Sequence, residues 1–274
     1  MSSILTNSSA MVALQTLQSV NKNLAKTQDM ISTGKEIATA KDNAAIWAIS
    51  KVMESDMSGF KAVKDSLSLG ESTVAVALAG ADQITNLLSD IKEKVVAATG
   101  ENVDHAKLTA DVDELKAQIT SIISASQFNG ANLLNTAGGD ITVTSSIDRD
   151  ASGAVTQAEI TVASVDFEAD LVLTDVDVSS ATAADASIAT IEAHIQTAID
   201  GSAALGASAR RISDQSEFVG RVTDAIKSGI GTLIDADMEE ASARLQALQV
   251  QQQLATQSLS IANQGPQAIL QLFR

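Results

Sequence analysis

The stretch that most constrains this chain is its last, Ile234 to Arg274, whose apolar residues fall at coiled-coil spacing while its flanks carry almost no charge. Alternating strides of four and three from Ile234 reach Met238, Ala241, Leu245, Leu248, Gln252, Ala255, Leu259, Ala262, Pro266, Ile269 and Phe273. This is an a/d seam, and such a seam buries its surface only against another helix. After Glu240 only Arg244 and Arg274 are ionisable, and Gln stands where a water-facing coiled coil carries Glu and Lys. A helix of this kind is covered on more sides than one partner can reach, so the pattern points to an assembly rather than to a helix docked on its own domain.

The opposite end carries the matching signal. From Met1 to Asn21 no side chain is ionisable, and strides from Ala10 pass through Leu14, Leu17, Asn21, Leu24, Gln28 and Ile31. The two ends are natural partners, and the assembly seam is assigned to Leu14, Leu17, Leu24, Ile31, Leu245, Leu248, Leu259, Ile269 and Phe273. Gly34 is placed to stop the first helix in a left-handed conformation.

Between the ends the spacing predicts three more helices. One starts near Ala44 and runs through Ile46, Ile49, Met53, Asp56, Phe60, Val63, Leu67, Gly70, Val74, Ala77, Ala81, Ile84, Leu88, Ile91 and Val95 to about Gly100; its small residues permit close helix approach. The next carries Leu108, Val112, Leu115, Ile119 and Ile122. After Asn129-Gly130 and Gly138-Gly139, both turn dipeptides, residues 141–144, 155–163 and 171–178 alternate in strand fashion and predict two or three hairpins. Thr182 to Asp185 resembles a capping box, and a long seam follows from Ile188 to Leu233, where it slips by one residue beside Gly229 and Gly231. The expected class is mainly α, with long antiparallel coiled-coil helices and a small β-hairpin insertion. Its expected divisions are 1–43, a terminal helix and joint; 44–137, the first part of a helical bundle; 138–184, the β-rich insertion; 185–233, the long returning bundle helix; and 234–274, the second terminal helix.

Composition supports helices meeting through aliphatic seams, since aromatic residues make up only 2% of the chain. With no Cys, thiolate catalysis and Cys-ligated zinc are excluded. A net charge of −16 argues against nucleic acid and anionic membrane as partners, and no apolar run is long enough for membrane insertion. Residues 140–200 hold twelve acidic side chains against Arg149 alone, which marks that stretch as solvated. His105 and His194 have no HExxH-like spacing and read as helix-surface residues; no P-loop, GxSxG or dinucleotide pattern occurs, so no enzyme and no cofactor are expected. One motif stands apart. Asp148 to Glu159 resembles a twelve-residue calcium loop, with Asp148, Asp150, Ser152, Ala154 and Glu159 at ligand or diagnostic positions around Gly153; the alternative is a plain acidic turn.

Ile31-Ser32-Thr33-Gly34-Lys35-Glu36-Ile37, Ala40 to Ala45, Gln127-Phe128-Asn129-Gly130, Asp235 to Glu240, Gln249 to Leu254, Ala262 to Gln267 and the closing Leu272-Phe273-Arg274 together resemble the bacterial flagellins. The resemblance spans roughly residues 1–137 and 185–274. It implies terminal helices paired in the inner tube of a filament, a bundle in the outer tube, and a solvent-facing insertion. It further implies self-polymerisation into an extracellular propeller, export without a cleaved signal peptide, and dealings with an export chaperone, the export apparatus and hook-associated junction and cap proteins. The rival readings are a hook–filament junction protein of the same superfamily and a cytoplasmic coiled-coil signalling rod; the latter requires charged ends and no β insertion.

Flagellins sensed by the animal Toll-like flagellin receptor carry a Gln-Arg pair where Ser89-Asp90 stands here, and Asp29, Met30, Glu36 and Trp47 depart from the peptide read by the plant receptor. The expected outcome in a receptor-reporter cell assay is weak activation by the purified subunit, and strong signalling at nanomolar protein would contradict it.

Overall fold

The computed structural model describes residues 7–150 and 152–272, the stretch 265–272 as helix backbone only. Six helices and two small hairpins follow one another: α1 (Ser8–Thr33), α2 (Ala44–Ala97), α3 (His105–Ala125), β1 (Gln127–Phe128), β2 (Ala131–Asn132), β3 (Ile141–Arg149), β4 (Val155–Val162), α4 (Phe167–Asp170), α5 (Ala181–Ile234) and α6 (Met238–Leu272). The class is the expected one, mainly α with a small antiparallel hairpin. The chain divides into two compact units, one of Met1–Ser55 with Ala225–Arg274, the other of Asp56–Asp224. Helices α2 and α5 each run through both.

The second unit is organised on the pairing of α2 with α5. Lys92 meets Glu192 at 2.8 Å, whereas Gly70 and Gln215, more than twenty residues away on each helix, both contact the same part of β3; the two helices are therefore antiparallel. Val63, Leu67, Val74, Ala77, Ala81, Ile84, Leu88, Ile91 and Val95 on α2 are buried, at the anticipated strides. Ile191, Ala198, Leu205, Ile212 and Val219 of α5 are fully buried in the same core. Helix α3 adds Val112, Ile119 and Ile123, with Lys94 and Asp111 bridging its outer edge to α2 at 3.1 Å. The turn at Asn129-Gly130 closes β1 on β2 with positive φ at both residues, and Asn132 beyond it is buried with its amide donating to Ile123 O at 2.7 Å.

Strands β3 and β4 pair from Ile141↔Val162 to Arg149↔Val155, with a bulge at Ser145. Val143, Ser145, Ile160 and Val162 face the helices and are buried. The expected third strand at 171–178 is absent: α4 ends just before it at Asp170, and a 3₁₀ turn at Leu173–Asp175 stands in its place. The alternating segment does not join the β3–β4 pair, which stays two-stranded. Short-range bonds form instead, Asp175 N to Val172 O at 3.2 Å and Val176 N to Leu173 O at 3.3 Å. The segment is tied to α5 by the Ser187 hydroxyl, which accepts from Asp177 N and donates to Asp177 O, both at 2.9 Å. The helix also starts earlier than the Thr182 motif suggested: Ser180 caps it by accepting from Ala183 N at 3.2 Å.

Gly70 serves the hairpin rather than a helix–helix crossing, because a Cβ there would lie 2.5 Å from Val143 Cγ2. Gly70→Ala gains about 1 kcal/mol of helix propensity, yet buried Val143 has no room to yield, and overpacking of this kind costs about 1–3 kcal/mol. The expected outcome is a net loss of stability in a thermal melt, recovered in part by the double variant Gly70→Ala with Val143→Ala.

Candidate assembly surface

In the first unit α1 lies along α6. Its inner face is formed by half-buried Ala10, Ala13, Leu17, Leu24 and Ile31 with buried Val20 and Thr27. Facing it are buried Ala241, Leu248 and Ala255 and half-buried Leu245, Gln252, Leu259 and Ala262 of α6, the positions reached by the sequence strides. On α1 the strides run three-four rather than four-three. Leu17, Leu24 and Ile31 belong to both patterns, but Ala13, Val20 and Thr27 take the places assigned to Leu14, Asn21 and Gln28. Smaller residues let the axes approach, and Thr27 is buried at no polar cost because its hydroxyl donates to Asn23 O at 2.9 Å. Leu14 accordingly faces outward, 45% exposed. Ile269 falls in the stretch described by backbone alone, and Phe273 lies outside the described residues.

Two amides register the pair: Asn7 Nδ2 donates to Ala262 O at 2.8 Å, and Gln252 Nε2 donates to Asn21 Oδ1 at 2.8 Å. At the other end the links out of α1 and into α6 are joined by backbone. Glu36 N donates to Ile234 O at 2.7 Å and Ala236 N to Gly34 O at 3.0 Å, around the bridge between Lys35 and Asp235. Gly34, at φ 70, ends α1 as anticipated, with its N–H on Met30 O. Asp237 begins α6 by accepting from Glu239 N and Glu240 N at 2.9 and 3.1 Å. The slip in the heptad pattern at Leu233–Ile234 is thus a real break between two helices. Beside it, Lys51 at 2.6 Å holds the Glu54 carboxyl below its ordinary value.

Several large apolar side chains remain on the outside of this pair. Met11, Val12 and Leu14 of α1 and Val250, Leu254 and Ile261 of α6 are all exposed, Ile261 at 70%. A groove of about 470 Å³ runs between the helices, lined by Val12, Ala13, Thr16, Val20, Leu254 and Ala255 among others. No ionisable side chain occurs from Met1 to Asn21 or between Arg244 and Arg274. Lone exposed aliphatics are ordinary, whereas rows of them on uncharged stretches of helix are uncommon on a monomer's surface.

Polar chemistry is sparse elsewhere. His194 is not a surface residue: it is 8% exposed, and its Nε2 has no hydrogen-bond partner. His105 is half-buried with Nδ1 3.1 Å from Val178 O. The calcium-loop residues are spread along a hairpin. Asp148 sits on β3 opposite Thr156, while Glu159 sits on β4 opposite Thr144. Glu159 lies four residue steps along β4 from Val155 at the tip, roughly 13 Å at about 3.3 Å per residue. Ser152 and Ala154 are at the tip, where one oxygen of Asp150 accepts from Ser152 Oγ at 2.6 Å and from the N–H groups of Ser152 and Ala154 at 2.9 Å. The Ser152 hydroxyl, foremost among these donors, holds the Asp150 carboxyl below its ordinary value. Among the described residues no cluster of three or more His, Cys, Asp or Glu is arranged to hold a metal ion, and no helix is long and apolar enough to cross a membrane.

Two family models match the chain, the bacterial flagellin N-terminal helical region over residues 4–138 and the bacterial flagellin C-terminal helical region over residues 188–273. A flagellin of Brucella melitensis biotype 1 is 43% identical over 282 residues, covering 100% of both chains. Flagellin FljM of Caulobacter vibrioides is 41% identical over 277 residues, covering 100% of this chain and 99% of that one. A solved structure from Vibrio parahaemolyticus, assigned as a flagellar hook-associated protein, shares the fold alone: TM-score 0.51, 13% identity, 71% of this chain and 100% of that one.

At the hairpin tip the Asp150 oxygen is already committed to three donors. Titrating Ca²⁺ into the monomer at neutral pH is expected to release no heat and to leave amide exchange at Ser152 and Ala154 unchanged; a stoichiometric heat would contradict this. Because the Asp150 carboxyl titrates below its ordinary value of 3.8, its contribution to the turn is present above that pH and is lost as the pH falls further.

Proposed function

The chain belongs to the bacterial flagellin family, a family of structural proteins, and from that premise we propose that the uncharged portion of the α1–α6 pair, residues 8–21 and 245–272, is the part of the subunit that neighbouring copies cover in the extracellular flagellar filament. The observation that carries this reading is the row of exposed Val12, Leu14, Val250, Leu254 and Ile261 with no ionisable group among them. Apolar surface of this kind is driven out of water by roughly 25 cal/mol per Å², and a repeated head-to-tail contact offers every copy a partner. The full-length relatives are flagellins, whereas likeness to a hook-associated protein extends to fold alone, and nothing favours the junction-protein or signalling-rod readings.

The finer parts of the reading follow from the same surface. A subunit whose terminal helices are this apolar needs them masked before assembly, which is the task of an export chaperone at the export apparatus. At the two ends of a filament one side of the contact is left open, and hook-associated junction and cap proteins meet it there. The chain leaves the cell without a cleaved signal peptide, performs no catalysis and carries no resident metal.

Sedimentation and electron microscopy of seeded protein test the assembly step. Leu254→Asp places a carboxylate in the covered face and is expected to raise the concentration needed for polymerisation at least about tenfold. The thermal melt of the α2–α5 unit stays unchanged. Removing Leu259 to Arg274 abolishes polymerisation; normal tubes from either variant would overturn this account of the terminal helices.

A further inference from the structure

Sulfur in this chain is confined to one part of it. There is no Cys, and five of the six methionines, Met1, Met11, Met30, Met53 and Met238, fall in the unit of Met1–Ser55 with Ala225–Arg274. The sixth, Met57, stands just beyond its edge, and none occurs from Ser58 to Asp237. Thioethers are therefore the only sulfur groups that an oxidant can attack, and all but one belong to the unit that carries the terminal helices.

Their surroundings differ. Met53 is half-buried with its terminal methyl against α5, where a Cβ at Gly229 would lie 3.2 Å from Met53 Cε. Met30 is half-buried beside a recess of about 80 Å³ that it lines with Thr27, Ala241 and Arg244. Met238, 44% exposed, opens α6 flanked by exposed Asp237 and Glu239. Met11 is 64% exposed on α1, within residues 8–21, where no side chain is ionisable. At 100° per residue it points about 150° away from the line of Ala13, Leu17, Val20 and Leu24 that packs on α6. Its side chain thus takes no part in holding the helix pair together. Leu would serve equally well there for burial; what the thioether adds is a two-electron oxidation that Leu cannot undergo.

We propose that Met11 is an oxidation site that sets whether a free subunit can enter the filament. The inference rests on the filament reading, because the covering of residues 8–21 by a neighbouring copy is the step that the modified side chain opposes. A hydroperoxide delivers one oxygen atom to the Met11 sulfur. The O–O bond breaks, an S–O bond forms, sulfur gives up two electrons, and the second oxygen leaves as water, or as an alcohol from an organic peroxide. The product sulfoxide is a polar acceptor where an apolar thioether stood, and burying it without a donor is costly. Since Met11 faces away from α6, the folded monomer tolerates the change, and the cost arises only when another copy arrives. A subunit is open to this oxidation while free and closed to it once covered. Methionine sulfoxide reductases remove the oxygen again, so the block is reversible.

Treating the full-length monomer with hydrogen peroxide tests this, with sulfoxide at each methionine quantified by peptide mass spectrometry and the critical concentration for seeded polymerisation read before and after. At the dose that converts Met11, the critical concentration is expected to rise about tenfold. The melting temperature stays unchanged, and treatment with the two stereospecific sulfoxide reductases restores assembly. Met11→Leu is read against its own starting value: the same dose, which still oxidises Met238, is expected to leave that value within about twofold. Preformed tubes given that dose are expected to hold Met11 sulfoxide at least about fivefold below the monomer's level. Monomer with Met11 fully converted that polymerises at the original concentration would overturn the inference and leave the filament reading intact. A rise of the same size in Met11→Leu counts equally against it, since the effect then belongs to another methionine. Tubes in which Met11 oxidises as fast as in the monomer, or no tubes from the unaltered protein, would instead overturn the filament reading's account of the terminal helices.

Discussion

The fold depends on the seam between α2 and α5. Two long antiparallel helices bury Val63 through Val95 against Ile191 through Val219, and every other element of the second unit is applied to that pair. A helix ladder satisfies its own backbone, so what must be found elsewhere is cover for one apolar stripe, and the stripe is what the sequence spells out. The hairpin β3–β4 is the exception that tests the rule. A two-stranded sheet is marginal alone, and this one is held by Val143 seated at Gly70 and by Arg149 engaging both oxygens of Asp56 at 3.1 and 3.3 Å.

What was legible in the sequence was whatever repeats. The α2 seam from Val63 on, the α5 seam, the α6 seam to Ala262 and the Gly34 stop are read from spacing alone, because each is set by a period or by a conformation that one residue type favours. The failures share a cause. Leu14 and Ala13 both fit a heptad drawn through Ala10 and Leu17, and only the facing helix decides between them. Residues 171–178 alternate like a strand, but a strand exists by virtue of its neighbour, and β3 and β4 pair with each other alone. His194 is on a long helix of mixed faces, and its burial was invisible until α5 had been placed. Asp148 and Glu159 matched a calcium loop in spacing, while the backbone between them is a hairpin that holds them apart.

The proposed assembly surface rests on a different kind of signal, the absence of something. Uncharged flanks on terminal helices are costly to expose, and a single chain has no further element with which to cover them. The family to which the chain belongs supplies the cover, other copies of itself. The concentration of negative charge in residues 72–206 complements this: one part of the molecule is made to be hidden, and another to stay wet.

A surface without ionisable groups has a thermodynamic property of its own. Covering it changes no protonation equilibrium directly, so the association takes up and releases no protons at the terminal-helix contact, and by linkage that part of its free energy is flat in pH. The carboxylates held below their ordinary value lie off the terminal helices, Asp42 in the link after α1, Glu54 on α2, and Asp150 and Asp177 in the other unit, and act on such a contact through long-range fields, which salt screens over about 10 Å. On the proposed reading, a change of acidity would leave that one joint untouched and act on the polymer elsewhere.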